Sequence, residues 1–168
     1  MCGIVGIWSK NSIETQEKQT DIILYKQHHR GPDNQSKFSI DDLTLGHNRL
    51  AIIDLNQNAN QPFISNCGRY TIVFNGEIYN YIELKKDLDY AFKTSSDTEV
   101  LLASYIKYGE KCIENFNGMF AFAIYDKKEK TLFCARDRIG KKPFVYSEHH
   151  SGFYFASELS ALFSIGVF

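Results

Sequence analysis

The sequence predicts an α+β fold built on antiparallel sheets. Strand-like segments outnumber helical ones, most neighbouring strands are separated by short hairpin-like turns, and the helical segments come in blocks. Thirteen Phe and ten Tyr support a strand-rich chain, because aromatic residues are enriched in β-strands. Several strands are apolar on both faces, which is typical of a sheet that packs against a second sheet with helices outside.

The first part of the chain is predicted to hold one helix and several strands. The apolar run Gly3 to Trp8 predicts a buried strand. A helix is expected from about Glu17 to His28, because the following Gly31-Pro32 ends helical geometry. Further strands are predicted at Ser36–Ile40 and Leu43–His47, and Leu50–Ile53 is another apolar run.

The middle of the chain contains an Asn-Gly pair whose context decides its interpretation. Arg69 to Phe74 alternates between two faces, which predicts a strand. Asn75-Gly76 follows, and such a pair often forms a type I′ hairpin turn. The next segment, Glu77 to Leu88, has a helical pattern, so we expect a helix there rather than a returning strand.

The last part of the chain is predicted to begin with a helix and continue with hairpins. Ser96 and Glu99 have the spacing of a capping box, and the helix should run to about Tyr108 and stop at Gly109. The remaining predicted elements are strands at Met119–Tyr125, Thr131–Ala135, Phe144–Tyr146 and Phe153–Ala156, and a final helix at Glu158–Phe163 capped by Ser157.

Composition and charge narrow the class of protein. A length of 168 residues suits one domain, and a net charge of −1 gives no field that would attract nucleic acid or an anionic membrane. No apolar run reaches the roughly 18 residues of a membrane helix, and a signal-peptide pattern is missing. The four cysteines lack CxxC spacing, which favours a reducing cytoplasm without disulfides or zinc. Adjacent histidines at 28–29 and 149–150 point apart, so we predict no metal site.

Cys2 is a candidate nucleophile, although it is also compatible with an ordinary small residue near the N-terminus. If Met1 is removed, Cys2 carries a thiol with a pKa of roughly 8.5 and an α-amine with a pKa of roughly 8. A terminal amine can serve as the base for its own nucleophile in covalent acyl transfer. Retention of Met1 would acylate that amine, and we expect the Cys2 thiol to be inactive as a nucleophile in that form.

Five segments occur in an order that is more specific than any one of them. They are Met1-Cys2-Gly3-Ile4-Val5-Gly6, His29-Arg30-Gly31-Pro32-Asp33, Arg49-Leu50-Ala51-Ile52-Ile53-Asp54, Asn75-Gly76-Glu77-Ile78-Tyr79-Asn80 and Ser96-Asp97-Thr98-Glu99. Together they resemble the class II glutamine amidotransferase domain, and more closely its asparagine-synthetase branch. The resemblance continues through Phe120–Asp126, Ala135–Gly140 and Phe155–Glu158 and so covers the chain.

The resemblance implies a fold and a reaction. The fold is a four-layer αββα sandwich of two antiparallel sheets between helices, as in N-terminal-nucleophile hydrolases. Residues 1–168 would be the glutaminase domain, without its last strands and without a synthetase domain. The reaction is hydrolysis of L-glutamine through a glutamyl thioester on Cys2, with ammonia passed to an ATP-dependent synthetase domain or chain. No cofactor is implied for these residues, since ATP and magnesium belong to the synthetase; a homo-oligomer is compatible with the resemblance.

The resemblance also implies how glutamine is bound. Arg49 would hold the α-carboxylate in a bidentate pair. Asp97 would hold the α-ammonium and be kept ionised by the adjacent helix N-terminus. The side-chain amide of Asn75 and the N–H of Gly76 would form the oxyanion hole. By family analogy, the rest of the pocket comes from Glu77 and from the backbone around Leu50, Ile52 and Ile53.

Simpler interpretations stay open for several of these residues. Arg49 is compatible with a surface ion pair, and Asp97 with a first-turn acid that only supports its helix. Arg30 is expected to brace a nearby loop, and Arg136 and Asp137 are expected to be structural.

Two rival functions are also open. A non-catalytic module that binds glutamine or a partner chain is the first, and a hydrolase for another amide is the second. The pairing of Arg49 with Asp97 suits a free amino acid and argues against the second. The sequence leaves open whether aspartate or a sugar accepts the ammonia.

Overall fold

Two antiparallel sheets, one in each of two units, form the framework of the computed structural model, which describes residues 1–167 apart from the His149 side chain. The first unit comprises residues 1–50 and the segment from Pro143 onward, and the second comprises residues 51–142. The strands are β1 (Gly3–Ser9), β2 (Asn34–Ile40), β3 (Leu43–Arg49), β4 (Phe63–Ile64), β5 (Tyr70–Ile78), β6 (Gly118–Asp126), β7 (Thr131–Arg136), β8 (Val145–His149) and β9 (Gly152–Ala156). The α-helices are α1 (Ile13–Lys26), α2 (Tyr81–Lys86), α3 (Asp97–Tyr108) and α4 (Leu159–Phe163). The predicted α+β class with antiparallel sheets is confirmed.

The first unit has a five-stranded sheet in the order β2-β3-β1-β9-β8, with every neighbouring pair antiparallel. Val5 and Ile7 of the central strand β1 pack against Ile23 and Leu24 of α1 and against Leu162 of α4. These side chains are at most 1% exposed, so β1 is held firmly between its neighbours and the helices. Cys2, which directly precedes β1, is therefore attached to the most constrained strand of the unit.

Helix α1 begins four residues before the predicted start at Glu17. Ser12 is its N-cap, and the Ser12 hydroxyl accepts a hydrogen bond from the Thr15 N–H. A 3-10 turn, His28–Arg30, follows the helix and ends before the Gly31-Pro32 pair. The prediction of a stop at that pair is confirmed.

The second unit has a four-stranded antiparallel sheet in the order β4-β5-β6-β7. Its core contains side chains from β5, β6 and α3, including Ile72, Phe74, Phe122 and Leu101. The two-residue strand β4 was not predicted. No helix within residues 1–167 has both the length and the apolar character needed to cross a bilayer.

The predicted helix from Glu77 to Leu88 is wrong in its first part. Strand β5 runs through Asn75 and Gly76 to Ile78, and α2 begins only at Tyr81. The reason is tertiary pairing, because residues 75–78 each have a partner in β6, from Ala121 to Gly118. This pairing overrides the local turn signal and the helical pattern.

One further prediction is corrected, and one is confirmed. The apolar run at residues 50–53 lies outside the strands, because β3 ends at Arg49. Ser157 does not cap α4, because its hydroxyl accepts the N–H of Ile4 in β1. Ser96 does cap α3, through a bond from the Glu99 N–H, while the Glu99 carboxylate binds the backbone N–H groups of residues 93 and 94.

Candidate functional site

The thiol and the carbonyl of Cys2 both have defined partners in the first unit. The N–H of Leu50 donates to the Cys2 Sγ over 3.4 Å, and that Sγ lies 3.7 Å from the Leu50 carbonyl oxygen. The Arg30 Nε donates to the Cys2 carbonyl over 3.0 Å. The Cys2 sulfur therefore accepts a hydrogen bond from the Leu50 backbone N–H and donates one to the Leu50 carbonyl. The half-buried Cys2 is thus held in a defined position at the start of β1.

Arg49 is the last residue of β3 and is 8% exposed. It pairs with Asn34 in β2, and its carbonyl accepts the N–H of Asp33. An exposed surface ion pair, the simpler interpretation of this arginine, does not agree with that burial. Leu50 follows directly and contributes its backbone to the Cys2 thiol, as expected for a residue of the site.

Ile52 and Ile53 belong to the second unit and lie in a segment without strand or helix. The Ile52 side chain is 70% exposed, and Ile53 is half-buried. Their predicted contribution to a glutamine pocket concerns the backbone, and it stays a prediction.

Asn75 is the most unusual polar residue in the second unit. It is 1% exposed, and both its Oδ1 and its Nδ2 are buried without a hydrogen-bond partner among the described residues. A buried amide that lacks partners costs about 1–3 kcal/mol, so its presence calls for an explanation. A side chain that binds a ligand provides one.

The N–H of Gly76 points away from β6. Gly76 faces Phe120 in that strand, but Phe120 turns its N–H and carbonyl towards Asp137, with distances of 3.2 and 2.8 Å. The pair Gly76–Phe120 is therefore a non-hydrogen-bonded one, in which the strands approach closely. A Cβ at position 76 would overlap the Met119 carbonyl oxygen, so glycine is required here by the neighbouring strand.

The two N–H groups that flank Gly76 on the same side of β5 are occupied by side chains. Gln61 Oε1 accepts the N–H of Phe74 over 2.6 Å, and Asp97 Oδ2 accepts the N–H of Ile78 over 3.0 Å. The Gly76 N–H lies between these two groups and has no hydrogen-bond acceptor among the described residues. A free donor next to an unpartnered amide is the arrangement that an oxyanion hole needs.

Asp97 lies at the start of α3 and is 5% exposed. Burial raises the pKa of its carboxyl to about 6, although the backbone N–H groups of Ile78, Thr98 and Asp97 itself lower it. The backbone N–H groups at the helix N-terminus thus lower this pKa without offsetting the effect of burial, and the proposed role of Asp97 stays a prediction. The carboxylate is still ionised at pH 7, and an ammonium ligand would favour that form.

Glu77 is half-buried in β5, between Gly76 and Ile78. Its charge contributes to the raised pKa of Asp97, as the smallest of the causes. The second unit thus brings together Asn75, Gly76, Glu77 and Asp97, since the Ile78 N–H joins the end of β5 to the start of α3.

Arg136 and Asp137 serve the loop after β7. The Arg136 guanidinium donates to the carbonyls of Lys142 and Gly140, each over 2.6 Å, and the Asp137 carboxylate accepts the N–H groups of residues 120, 141 and 142. Their structural interpretation is confirmed. In the described part of the chain, no three His, Cys, Asp or Glu side chains are grouped as a metal ion would need.

Two residues around the site were missed by the sequence reasoning. Gln61 supports β5 through Phe74 and also donates to the Thr98 hydroxyl of α3 over 3.2 Å. Glu158 is the N-cap residue of α4 without a side-chain capping bond, and its carboxylate accepts a hydrogen bond from Arg30. None of these three contacts has a spacing signal, because the partners are 13, 37 and 128 residues apart in the chain.

The model of one known protein family matches residues 1–167, which is nearly the whole chain; its description is "Glutamine amidotransferase domain". The chain belongs to this glutamine amidotransferase family. The amidotransferase is similar to asparagine synthetase [glutamine-hydrolyzing] 3 of Bacillus subtilis, at 43% identity over 96% of this chain. It is also similar to asparagine synthetase B [glutamine-hydrolyzing] of Escherichia coli, at 35% identity over 96% of this chain. The predicted resemblance is confirmed, and the rival non-catalytic module is not favoured.

This amidotransferase chain spans only 27% and 30% of the length of those two relatives. Among solved structures, it is similar to glutamine phosphoribosylpyrophosphate amidotransferase from B. subtilis, with a TM-score of 0.83 and 24% identity over 98% of this chain and 44% of the other. A structure described as the allosteric regulatory enzyme of purine biosynthesis gives a TM-score of 0.84 at 24% identity, over 98% of this chain and 43% of the other. These two likenesses confirm that the fold is that of an amidotransferase.

Proposed function

We propose that this chain is the glutaminase half of an asparagine-synthetase-type amidotransferase and hydrolyses L-glutamine to glutamate and ammonia. The observation that carries the proposal is the environment of Cys2. Its thiol receives the Leu50 N–H and its carbonyl receives the Arg30 Nε, at the start of the central strand β1. The family match and the relatives' names support glutamine as the substrate.

The reaction would proceed through two acyl transfers. After removal of Met1, the α-amine of Cys2 accepts the thiol proton, and the thiolate attacks the side-chain amide carbon of glutamine. The carbonyl π electrons move to oxygen and form a tetrahedral oxyanion. The C–N bond then breaks, the proton on the amine passes to the leaving nitrogen, and ammonia departs. Water attacks the resulting thioester, releasing glutamate and restoring the thiol.

The oxyanion would be stabilised by the Asn75 amide and the Gly76 N–H. Support comes from the second unit, where both groups lack partners among the described residues and are pre-organised by β5. Donors that are already oriented need no rearrangement when the negative charge develops. Their present lack of partners is the cost that such pre-organisation carries in the free enzyme.

The rest of the substrate would be held by its charges. Arg49 would bind the α-carboxylate and Asp97 the α-ammonium, with Glu77 and the backbone of Leu50, Ile52 and Ile53 lining the pocket. The burial of Arg49 and Asp97, at 8% and 5% exposure, supports this role, because charge-assisted hydrogen bonds are stronger away from water.

We propose that the ammonia passes to a synthetase domain or a separate synthetase chain that uses ATP and magnesium. The support is the naming of the relatives as glutamine-hydrolysing asparagine synthetases, of which this chain matches about a quarter to a third. Aspartate is the acceptor that those names favour. A reducing, cytoplasmic setting fits the four free cysteines.

The decisive experiment measures glutamate release from L-glutamine by purified protein whose intact mass shows that Met1 is gone. Cys2→Ala should abolish release, because no other group would form the thioester. Cys67→Ala is the matched control, since the Cys67 thiol is exposed and lies in the second unit. Release that survives Cys2→Ala would contradict the proposal, and so would an inactive trimmed enzyme that is folded.

A further inference from the structure

The carbonyl of Cys2 accepts a hydrogen bond from the side chain of Arg30. Arg30 reaches it with Nε over 3.0 Å. Arg30 comes from the 3-10 turn after α1, and its side chain is 10% exposed. The position of the Cys2 backbone therefore depends on how well this guanidinium is fixed.

Glu158 is the anionic partner that fixes the Arg30 guanidinium. The Arg30 Nη1 donates to the Glu158 Oε1 over 3.1 Å, while the Arg30 Nη2 is buried without a partner in the described residues. The same Oε1 lies 2.9 Å from the Nε2 of His29, whose side chain is 64% exposed. Partial burial raises the pKa of the Glu158 carboxyl, but the Arg30 and His29 contacts outweigh it, so the pKa lies below its ordinary value. Glu158 is thus a carboxylate at neutral pH.

The backbone places Glu158 with respect to β1. The preceding residue, Ser157, donates its N–H to the Ile4 carbonyl over 3.0 Å and accepts the Ile4 N–H with its hydroxyl over 2.9 Å. Gln27 adds a bond from its side-chain amide to the same Ile4 carbonyl over 3.2 Å. The end of β9 is therefore locked to the residue two positions after Cys2, and Arg30 links the Glu158 side chain to Cys2.

We propose that Glu158 is a positioning residue of the glutaminase reaction, which holds Arg30 so that Arg30 fixes the carbonyl, and with it the thiol, of Cys2. The proposal rests on the proposed function of Cys2. Glu158 does not contact the thiol or the leaving group. Its loss should affect the geometry of attack more than the binding of glutamine.

The expected signature is a fall in kcat with little change in KM. A small misplacement of a reacting group costs up to about 100-fold in rate, so Glu158→Gln should lower kcat about 10- to 100-fold. The KM for glutamine should stay within about threefold, because the substrate keeps its own contacts. Glu158→Asp should lie between wild type and Glu158→Gln, since it keeps the charge at a shorter reach.

Two controls separate this role from general effects. Glu148→Gln changes the same residue type on an exposed position of β8 and should leave kcat within about twofold of wild type. His29→Gln removes the exposed partner of the same carboxylate and should have an equally small effect. The loss of activity must therefore follow the bond to Arg30 and not the change of net charge.

A double-mutant cycle tests whether Glu158 acts through Arg30. If it does, Arg30→Lys with Glu158→Gln should be no slower than Arg30→Lys alone, within about twofold. Losses that multiply would overturn the proposal, as would a folded Glu158→Gln enzyme with kcat within about twofold of wild type.

A readout without turnover distinguishes failure of this proposal from failure of the proposed function. Iodoacetamide labelling followed by peptide mass spectrometry gives the ratio of Cys2 to Cys67 labelling within one sample, with the exposed Cys67 as internal reference. Glu158→Gln should change that ratio at least about threefold, and Glu148→Gln should not. An unchanged ratio overturns the positioning role, even if the wild-type chain proves inactive on glutamine.

Discussion

Asp97→Asn should stabilise the free protein at neutral and alkaline pH while damaging its function. The folded state raises the pKa of this carboxyl from 3.8 to about 6, mainly through burial. Between those values the native state binds more protons than the unfolded state, so stability falls as pH rises. The cost of the buried charge is absent below about pH 4 and fully present once pH has passed through about 6.

The magnitude follows from the difference between the two pKa values. About 2 pH units at 1.36 kcal/mol each give a cost of about 3 kcal/mol at pH 8. Asparagine removes the charge and keeps an oxygen that can accept the Ile78 N–H, but its amide N–H₂ is buried and costs about 1 kcal/mol. We expect Asp97→Asn to be more stable than wild type by about 2 kcal/mol at pH 8 and to show no gain at pH 4.

Urea unfolding at several pH values between 4 and 8 gives the difference in free energy of unfolding between variant and wild type. Asp89→Asn is the matched control, because Asp89 is an exposed aspartate in the same unit, and its effect should stay within about 0.5 kcal/mol. A difference for Asp97→Asn that is constant across pH would refute the argument from burial. In kinetic assays the same variant should raise the KM for glutamine at least about 100-fold, since the α-ammonium loses its charged partner.

Two further variants test the second unit. Asn75→Ala should lower kcat about 100- to 1000-fold by removing an oxyanion donor. The free energy of unfolding should stay the same or rise by up to about 3 kcal/mol, because the variant no longer buries an unpartnered amide; a large loss of stability in urea unfolding, or kcat near wild type, would contradict this. Ser96→Ala should destabilise the protein by about 1 kcal/mol through loss of the α3 N-cap, and Ser95→Ala, at an exposed neighbouring position, is the comparison that should cost less in the same unfolding assay.

The order of the motifs was enough to predict the family and the class of reaction. The resemblance carried by these motifs implied Cys2, Arg49, Asn75 and Asp97 as site residues, and their side chains are of the types that hydrolysis of a zwitterionic amide requires. The α+β class and most strand positions also followed from local apolar patterns. Such signals lie within a few residues of one another, where side-chain periodicity and backbone preferences operate.

Only the tertiary structure decided the elements whose partners are distant in the chain. Asn75-Gly76 has the local signal of a turn, yet β6, more than 40 residues later, pairs with it and makes it strand. Ser157 has the local signal of a cap, yet it bonds to Ile4, 153 residues earlier. The raised pKa of Asp97 and the Arg30–Glu158 pair likewise arise from burial and long-range contact. The sequence alone thus determined which chemical groups the chain carries, whereas the fold decided how each is held, because burial and strand pairing depend on residues that no local window contains.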